Sequence, residues 1–204
     1  MPDYARPAAP ENVTVAVTGA SGVVFARELL RILAAESRVR TVNVIVSDNA
    51  LRVMAEEIGI TGRAKLLEQL VAGNIPKFQL QNNDDIGANV ASGSYPADAM
   101  IVIPCSMGTL ARIANGTTNK LIERAADVCL KEKRPLVLCV RETPLNKIHI
   151  RNMSLAADAG ATIFPLIPVY YAKLESIEGM AREFGNRVLA NIGVPQPGGF
   201  TWMG

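Results

Sequence analysis

One histidine and three cysteines are all the imidazole and thiol groups in this 204-residue chain. His149 has no Cys, Asp or Glu beside it at ligand spacing, so it offers no metal site and reads as a structural hydrogen-bonding residue. Cys105, Cys129 and Cys139 are odd in number, lack CxxC spacing and fall in or beside expected core elements. They read as reduced, buried thiols in a reducing compartment rather than as redox or metal groups. A basic block is missing too. Lys and Arg number 21 against 19 Asp and Glu, well mixed, for a net charge of +2, which argues against a nucleic-acid partner. No apolar run approaches the ~18 residues that span a bilayer. The first eleven residues hold three Pro and both signs of charge, unlike a signal peptide. These absences predict a cytoplasmic protein, off the membrane and without metal.

Apolar residues, by contrast, are in excess. The hydrophobic set is 49% of the chain, beside 16 Gly, and mean hydropathy is +0.19. Without Tyr and with Gly it reaches roughly 55%, against the usual ~45–50%, which predicts burial between subunits as well as within one. The length suits one domain. We expect a flexible arm over 1–11, a body over 12–193, and a Pro- and Gly-rich tail over 194–204 whose Phe200 and Trp202 close over a neighbouring subunit.

Two apolar strands, each ending in a polar signature, organise the middle of the chain. Met100 to Ile103 breaks at Pro104-Cys105-Ser106-Met107-Gly108-Thr109, and Leu136 to Val140 breaks at Arg141-Glu142-Thr143-Pro144. Strands this apolar belong in a sheet covered on both faces, where a ligand sits beyond the carboxyl ends. Ser106 and Thr109 can offer hydroxyls at a helix N-terminus, and Gly108 allows close approach. Arg141 can clamp a phosphate. Glu142 can move a proton where its surroundings raise its pKa; an ion pair at a strand end is the plain alternative.

Upstream, Val13 to Val17 is a β-branched strand, followed by Thr18-Gly19-Ala20-Ser21-Gly22 and a helix with Phe25, Leu29, Ile32 and Leu33 on one face. Strand, small-residue turn and helix start make an anion or nucleotide site. A short-chain dehydrogenase is excluded, because Val23, Val24 and Phe25 stand where further glycines belong and Tyr171 is followed four residues later by Glu175. A second strand, Val42 to Val46, ends at Ser47, which faces a ligand or caps the helix that stops at Gly59. A helix near Ala64–Val71 precedes a polar, loop-like stretch from Asn74 to Asp85. Ala91-Ser92-Gly93-Ser94-Tyr95 is either a surface loop or a close approach to a partner or ligand.

In the helix whose buried stripe is Leu121, Ala125, Val128 and Cys129, Arg124 and Lys131 lie seven apart on one edge. They hold an anion, or they join Glu123, Asp127 and Glu132 in a solvated face. Thr162 to Phe164 is the last strand. The final helix turns Met180, Phe184 and Val188 inward with Arg187 in the same arc. Arg187 there meets a buried anion, the favoured reading, or snorkels out.

Gly19-Ala20-Ser21-Gly22, Ser92-Gly93-Ser94, Pro104-Cys105-Ser106-Met107, Arg124-Ala125-Ala126-Asp127-Val128 through Leu130-Lys131-Glu132, and Arg141-Glu142-Thr143-Pro144-Leu145 follow one another across residues 12–193. Together they closely resemble the UbiX-type flavin prenyltransferases. The resemblance implies an α/β fold, a doubly wound, mostly parallel sheet in a flavodoxin-like or Rossmann-like three-layer single domain. It also implies a dodecamer with sites between subunits. The implied reaction moves a dimethylallyl group from dimethylallyl monophosphate to N5 and C6 of reduced FMN, without metal. The product, prenylated FMN, serves a UbiD-type decarboxylase.

By the same resemblance Gly19, Ala20, Ser21, Ser47, Ser106, Met107, Gly108, Thr109 and Arg141 hold FMN. Ser92, Arg124, Lys131, Tyr171 and Arg187 bind the substrate phosphate, and Glu142, with Ser21, Lys131 and Arg124, carries the chemistry. Preorganised cations stabilise a departing phosphate, and closure by a second subunit keeps water from the allyl cation. Two departures stand out. The family's Phe-Tyr-His-Arg-Pro run reads Tyr170-Tyr171-Ala172-Lys173-Leu174 here, with Lys173 able to supply the lost charge, and a common Asp is Asn119. An FMN-dependent cysteine decarboxylase fits less well, since that family uses a catalytic His and a Pro-Ala-Ser-Ala-Asn loop where this chain has Pro104-Cys105-Ser106-Met107-Gly108. A flavin-storage protein without catalysis is the remaining reading.

Overall fold

The computed structural model describes residues 9–71, 75–172 and 174–199. Six parallel strands form one sheet: β1 (Asn12–Val17), β2 (Thr41–Val46), β3 (Phe78–Gln81), β4 (Ala99–Cys105), β5 (Leu136–Val140) and β6 (Thr162–Ile163). Among the described residues seven α-helices cover it: α1 (Val23–Ala35), α2 (Asp48–Ile58), α3 (Leu66–Leu70), α4 (Met107–Ala114), α5 (Leu121–Lys131), α6 (Lys147–Asp158) and α7 (Ile177–Asn191). The strand order is β3-β2-β1-β4-β5-β6. The chain winds outward from β1 to β3 and restarts at β4 on the other side of β1, so the topological switch point falls between β1 and β4.

Alternation along each strand builds two cores. Val13, Val15 and Val17, with Val137 and Cys139, pack beneath α1, α2, α3 and α7; Ala16, Met100, Val102, Leu136 and Leu138 pack beneath α4, α5 and α6. Both faces are buried, so the strands read as continuous apolar runs. Phe184 of α7 meets Phe25 and Phe164 edge to face, with ring centroids 5.3 and 5.2 Å apart, and fastens the last helix to the first.

Helix ends follow local chemistry. Ser47, Ser106, Asn146 and Ser176 cap α2, α4, α6 and α7 through side-chain oxygens, and Gly59 ends α2 in the left-handed region at φ 71°. His149 accepts the Asn146 N–H in return and completes a capping box, the structural role expected of it. All three cysteines are buried thiols. Desolvation pushes Cys105 and Cys129 up to about 12, and Cys139 well above its ordinary value, so none is a thiolate nucleophile.

The structure departs from expectation in two places. Phe78–Gln81, read within a polar loop, is an edge strand in which Phe78 pairs with Val42 and Gln81 with Ile45; an edge strand needs no apolar run, and its two Gln disguise it. β4 does not stop at Ile103 but runs through Pro104 to Cys105. The register against β5 shifts between Val102 and Cys105, which is where a residue without an N–H is tolerated. The start of the tail packs on its own subunit, with Arg38 donating to the Pro195 carbonyl at 2.7 Å and Gln196 to Glu36 at 2.8 Å. Phe200, Trp202, Lys173 and residues 1–8 of the expected arm lie outside the described residues.

Candidate functional site

A crevice opens at the switch point, beyond the carboxyl ends of β1, β2 and β4. Thr18 stitches its floor: the hydroxyl donates to the Pro104 carbonyl at 2.7 Å and accepts the Ser106 N–H at 2.8 Å. Gly19, Ser47, Asn49, Ser106, Thr109 and Arg112 are among the residues bordering a cavity of about 240 Å³ there. A Cβ at Gly19 would lie 2.5 Å from the Asn49 Cβ, so the approach of this turn to α2 requires glycine. Ser47 Oγ accepts from the Ala50 N–H at 3.1 Å and Ser106 Oγ from the Thr109 N–H at 3.4 Å. Both serines cap a helix and border the crevice at once. Met107 and Thr109 are buried while Gly108 is open, at the first turn of α4.

The start of α1 differs from expectation. Its N–H groups already have an anion, because Gly22 and Val23 donate to the Glu57 carboxylate from the last turn of α2, at 3.0 and 2.8 Å. Glu57 compensates the helix dipole, and Gly22, at φ 106°, makes the left-handed turn that presents these groups. Ala20 is buried and Ser21 exposed just ahead of this junction.

Arg141 and Glu142 follow β5. The Arg141 N–H donates to the Cys105 carbonyl at 3.1 Å, so the two polar signatures meet through the backbone. Both side chains are exposed, and Glu142 accepts the Thr143 N–H at 3.0 Å. Past β6 lies a second cavity of about 650 Å³, walled by Phe164, Pro165, Ile167, Tyr170, Tyr171 and Arg187 among others. Arg187 does not sit on the inner face of α7 against a buried anion. It is exposed, with its guanidinium 5.7 Å from the Phe164 ring centre. The long side chain leaves the apolar arc and stacks on the ring at the cavity rim.

The expected phosphate-binding residues do not gather within one chain. Tyr171 and Arg187 share the second cavity, but Ser92, Arg124 and Lys131 border neither. Arg124 donates to the Ala91 carbonyl at 3.1 Å and pairs with Asp127 at 2.7 Å, Lys131 pairs with Glu132, and Ser92 and Ser94 share a hydrogen bond of 2.9 Å. Lys131 ends α5 just before the chain turns into the N-terminal end of β5, so it stands toward the sheet edge opposite Arg141. Arg134 holds the small-residue loop there, donating to the Gly93 and Tyr95 carbonyls at 2.6 and 2.9 Å. Glu123 is not part of a solvated face. It is buried and accepts a 2.6 Å hydrogen bond from Arg112 at the crevice. Glu57, Arg112 and Glu123 are absent from the expected site residues. Arg112 had a signal, lying one turn after Thr109 on the same side of its helix; the other two had none.

A doubly wound sheet with a crevice of hydroxyls, a helix start and cations at its switch point is the frame of a flavin-binding α/β protein, and a family model described as Flavoprotein matches residues 3–187. The chain is 40% identical over 193 residues to the flavin prenyltransferase UbiX of Pseudomonas aeruginosa, covering 92% of this chain and 91% of that one. It belongs to the UbiX family of flavin prenyltransferases. A UbiX protein crystallised with FMN and dimethylallyl pyrophosphate matches at TM-score 0.84 and 37% identity, over 96% of this chain and 98% of that one. A dodecameric FMN-dependent UbiX-like decarboxylase from Escherichia coli O157:H7 matches at TM-score 0.84 and 35% identity, over 95% and 100%. An FMN-dependent cysteine decarboxylase from thioviridamide biosynthesis, at 16% identity and TM-score 0.56, shares the fold alone.

The crevice fits the phosphorylated tail of FMN. The α4 start with Ser106 and Thr109, and the cations Arg112 and Lys120 beside it, complement a phosphate. Glu123 Oε2 is buried there without a partner among the described residues, a lone acceptor suited to a hydroxyl.

Proposed function

We propose that this protein transfers a dimethylallyl group from a dimethylallyl phosphate to reduced FMN, in the cytoplasm and as a homo-oligomer, and that a UbiD-type decarboxylase uses the product. One observation carries the reading. Along the carboxyl edge of the sheet stand, in strand order, the phosphate-fitting crevice, Arg141 and Glu142, and an apolar cavity rimmed by Tyr171 and Arg187. Among the described residues no helix is long and apolar enough to cross a membrane.

Reduced flavin, when bound, supplies the nucleophilic ring that takes the five-carbon unit. Tyr171 and Arg187 orient the donor phosphate and take up its charge as the allylic C–O bond breaks. The apolar wall of Phe164, Pro165 and Ile167 keeps water from the carbon unit. Glu142 accepts the proton that the acceptor gives up. Ser92, Arg124 and Lys131 act from a neighbouring subunit, whose opposite sheet edge meets this site; a dodecameric relative supports that arrangement. We divide the chain into an arm over 1–11, a catalytic body over 12–193 and a tail over 194–204.

Anaerobic incubation with reduced FMN, in separate arms with the dimethylallyl monophosphate and diphosphate, tests the reading by the mass of the released flavin. A gain of one five-carbon unit with either donor is expected. Unchanged flavin with both would leave a storage protein.

A further inference from the structure

Glu123 is 3% exposed at the start of α5, yet only one of its oxygens is satisfied. Oε1 accepts from Arg112 Nε at 2.6 Å, while Oε2 is buried without a hydrogen-bond partner among the described residues. Both side chains border the crevice with Ser106, Thr109 and Lys120. An unpartnered oxygen on a buried carboxylate is costly and marks a place where a donor belongs. Arg112 rises from α4 and uses Nε on Glu123, which fixes the guanidinium plane. Its Nη1 reaches the first turn of the same helix, 3.8 Å from where a Gly108 side chain would begin.

We propose that Arg112, held in place by Glu123, recognises the phosphate of FMN, and that Glu123 Oε2 accepts a hydrogen bond from a hydroxyl of the same polyol tail. The assignment rests on the flavin reading above and adds two residues to it. The α4 start offers N–H groups and positive potential. Arg112 adds a planar donor fork that matches a phosphate. Glu123 is a positioning residue for the phosphate, acting through Arg112. Riboflavin keeps the hydroxyl on Glu123 and lacks the group that Arg112 recognises, so the pair sets the preference for the phosphorylated flavin.

Equilibrium binding of FMN and of riboflavin to the full chain, followed by flavin fluorescence, tests this with Arg112→Ala, Arg112→Lys, Glu123→Ala and the double variant. Arg112→Ala should weaken FMN about ten- to a hundredfold, as loss of charge-assisted hydrogen bonds does. Riboflavin should stay within about twofold, and Arg112→Lys should recover part of the loss. Arg112→Ala leaves the buried Glu123 carboxylate without its ion pair. Arg112→Lys, which keeps the charge, and the double variant, which leaves no buried charge unpaired, therefore carry the FMN-against-riboflavin comparison if a single Ala variant does not fold. Glu123→Ala should lower the FMN-over-riboflavin preference when Arg112 is present and not in the Arg112→Ala background, a coupling that a purely structural residue does not show. Equal losses for both flavins on Arg112→Ala, or no loss, overturn the assignment while leaving the flavin reading intact. A wild-type chain that binds neither flavin overturns both.

Discussion

Glu57 Oε2 accepts the Val23 N–H at 2.8 Å across 34 residues of sequence, so the last turn of α2 closes the first turn of α1. The same carboxylate takes the Gly22 N–H, and with it the turn that carries Gly19, Ala20 and Ser21 is pinned. An anion at an exposed helix N-terminus contributes about 0.3–1 kcal/mol. Glu57→Ala should therefore lower stability by about 0.5–1 kcal/mol, seen as a lower urea midpoint at unchanged slope. FMN affinity should fall with it, because the turn loses its anchor. A variant with wild-type midpoint and affinity would mean that water replaces the carboxylate without cost.

Arg187 lies over Phe164 at the mouth of the second cavity. A guanidinium held against a ring is oriented before a phosphate arrives. Arg187→Ala should raise the KM for the prenyl phosphate about tenfold or more and leave FMN affinity unchanged. Arg187→Lys should fall between the two, since an ammonium keeps the charge and loses the planar stack. Equal losses in donor use and flavin binding would remove Arg187 from the donor site.

Glu142 sits at the end of β5 beside Arg141, with its carboxylate on the Thr143 N–H. Glu142→Gln preserves shape and removes the carboxylate that we propose as the proton acceptor. Flavin binding should persist while prenyl transfer falls by about a hundredfold or more, the usual worth of a positioned acid–base group. Single-turnover formation of the heavier flavin checks it, and a fully active variant would assign the proton to another group.

Legibility in the sequence tracks whether partners are near in the chain. Leu136–Val140 is legible residue for residue because a strand buried on both faces has no polar interruption. Ser47 and Gly59, whose partners lie a few residues away, are legible for the same local reason, whereas the Asn146 side of the His149 cap is known only from the fold. Glu57 with Val23, and Glu123 with Arg112 eleven residues back, are pairs that only the fold brings together. Periodicity set Arg124 and Lys131 on one side of α5, but it does not say toward which sheet edge each end of that helix points. Within a single chain Arg124 and Lys131 therefore stand apart from the cavity that Tyr171 and Arg187 rim.

The tail is fastened at the C-terminal end of α1. Glu36 is buried against Arg38, which donates through Nε at 2.8 Å and Nη2 at 2.6 Å, and against Gln196. The Arg38 hydrogen bonds, partly opposed by burial, bring the Glu36 carboxyl from its usual value of 4.5 down to about 2. The unfolded chain therefore binds more protons than the folded one between these values. The stabilisation is complete above about 4.5 and is lost as pH falls toward 2. Glu36→Gln should cost about 1–3 kcal/mol at neutral pH, the range for hydrogen bonds to a charged group. The gap between variant and wild type should then close as the solution is acidified through that window. Thermal or urea midpoints of the two proteins across this range check it. A gap that stays constant with pH would mean that packing of Pro195 and Gln196, rather than the charge, holds the tail against α1.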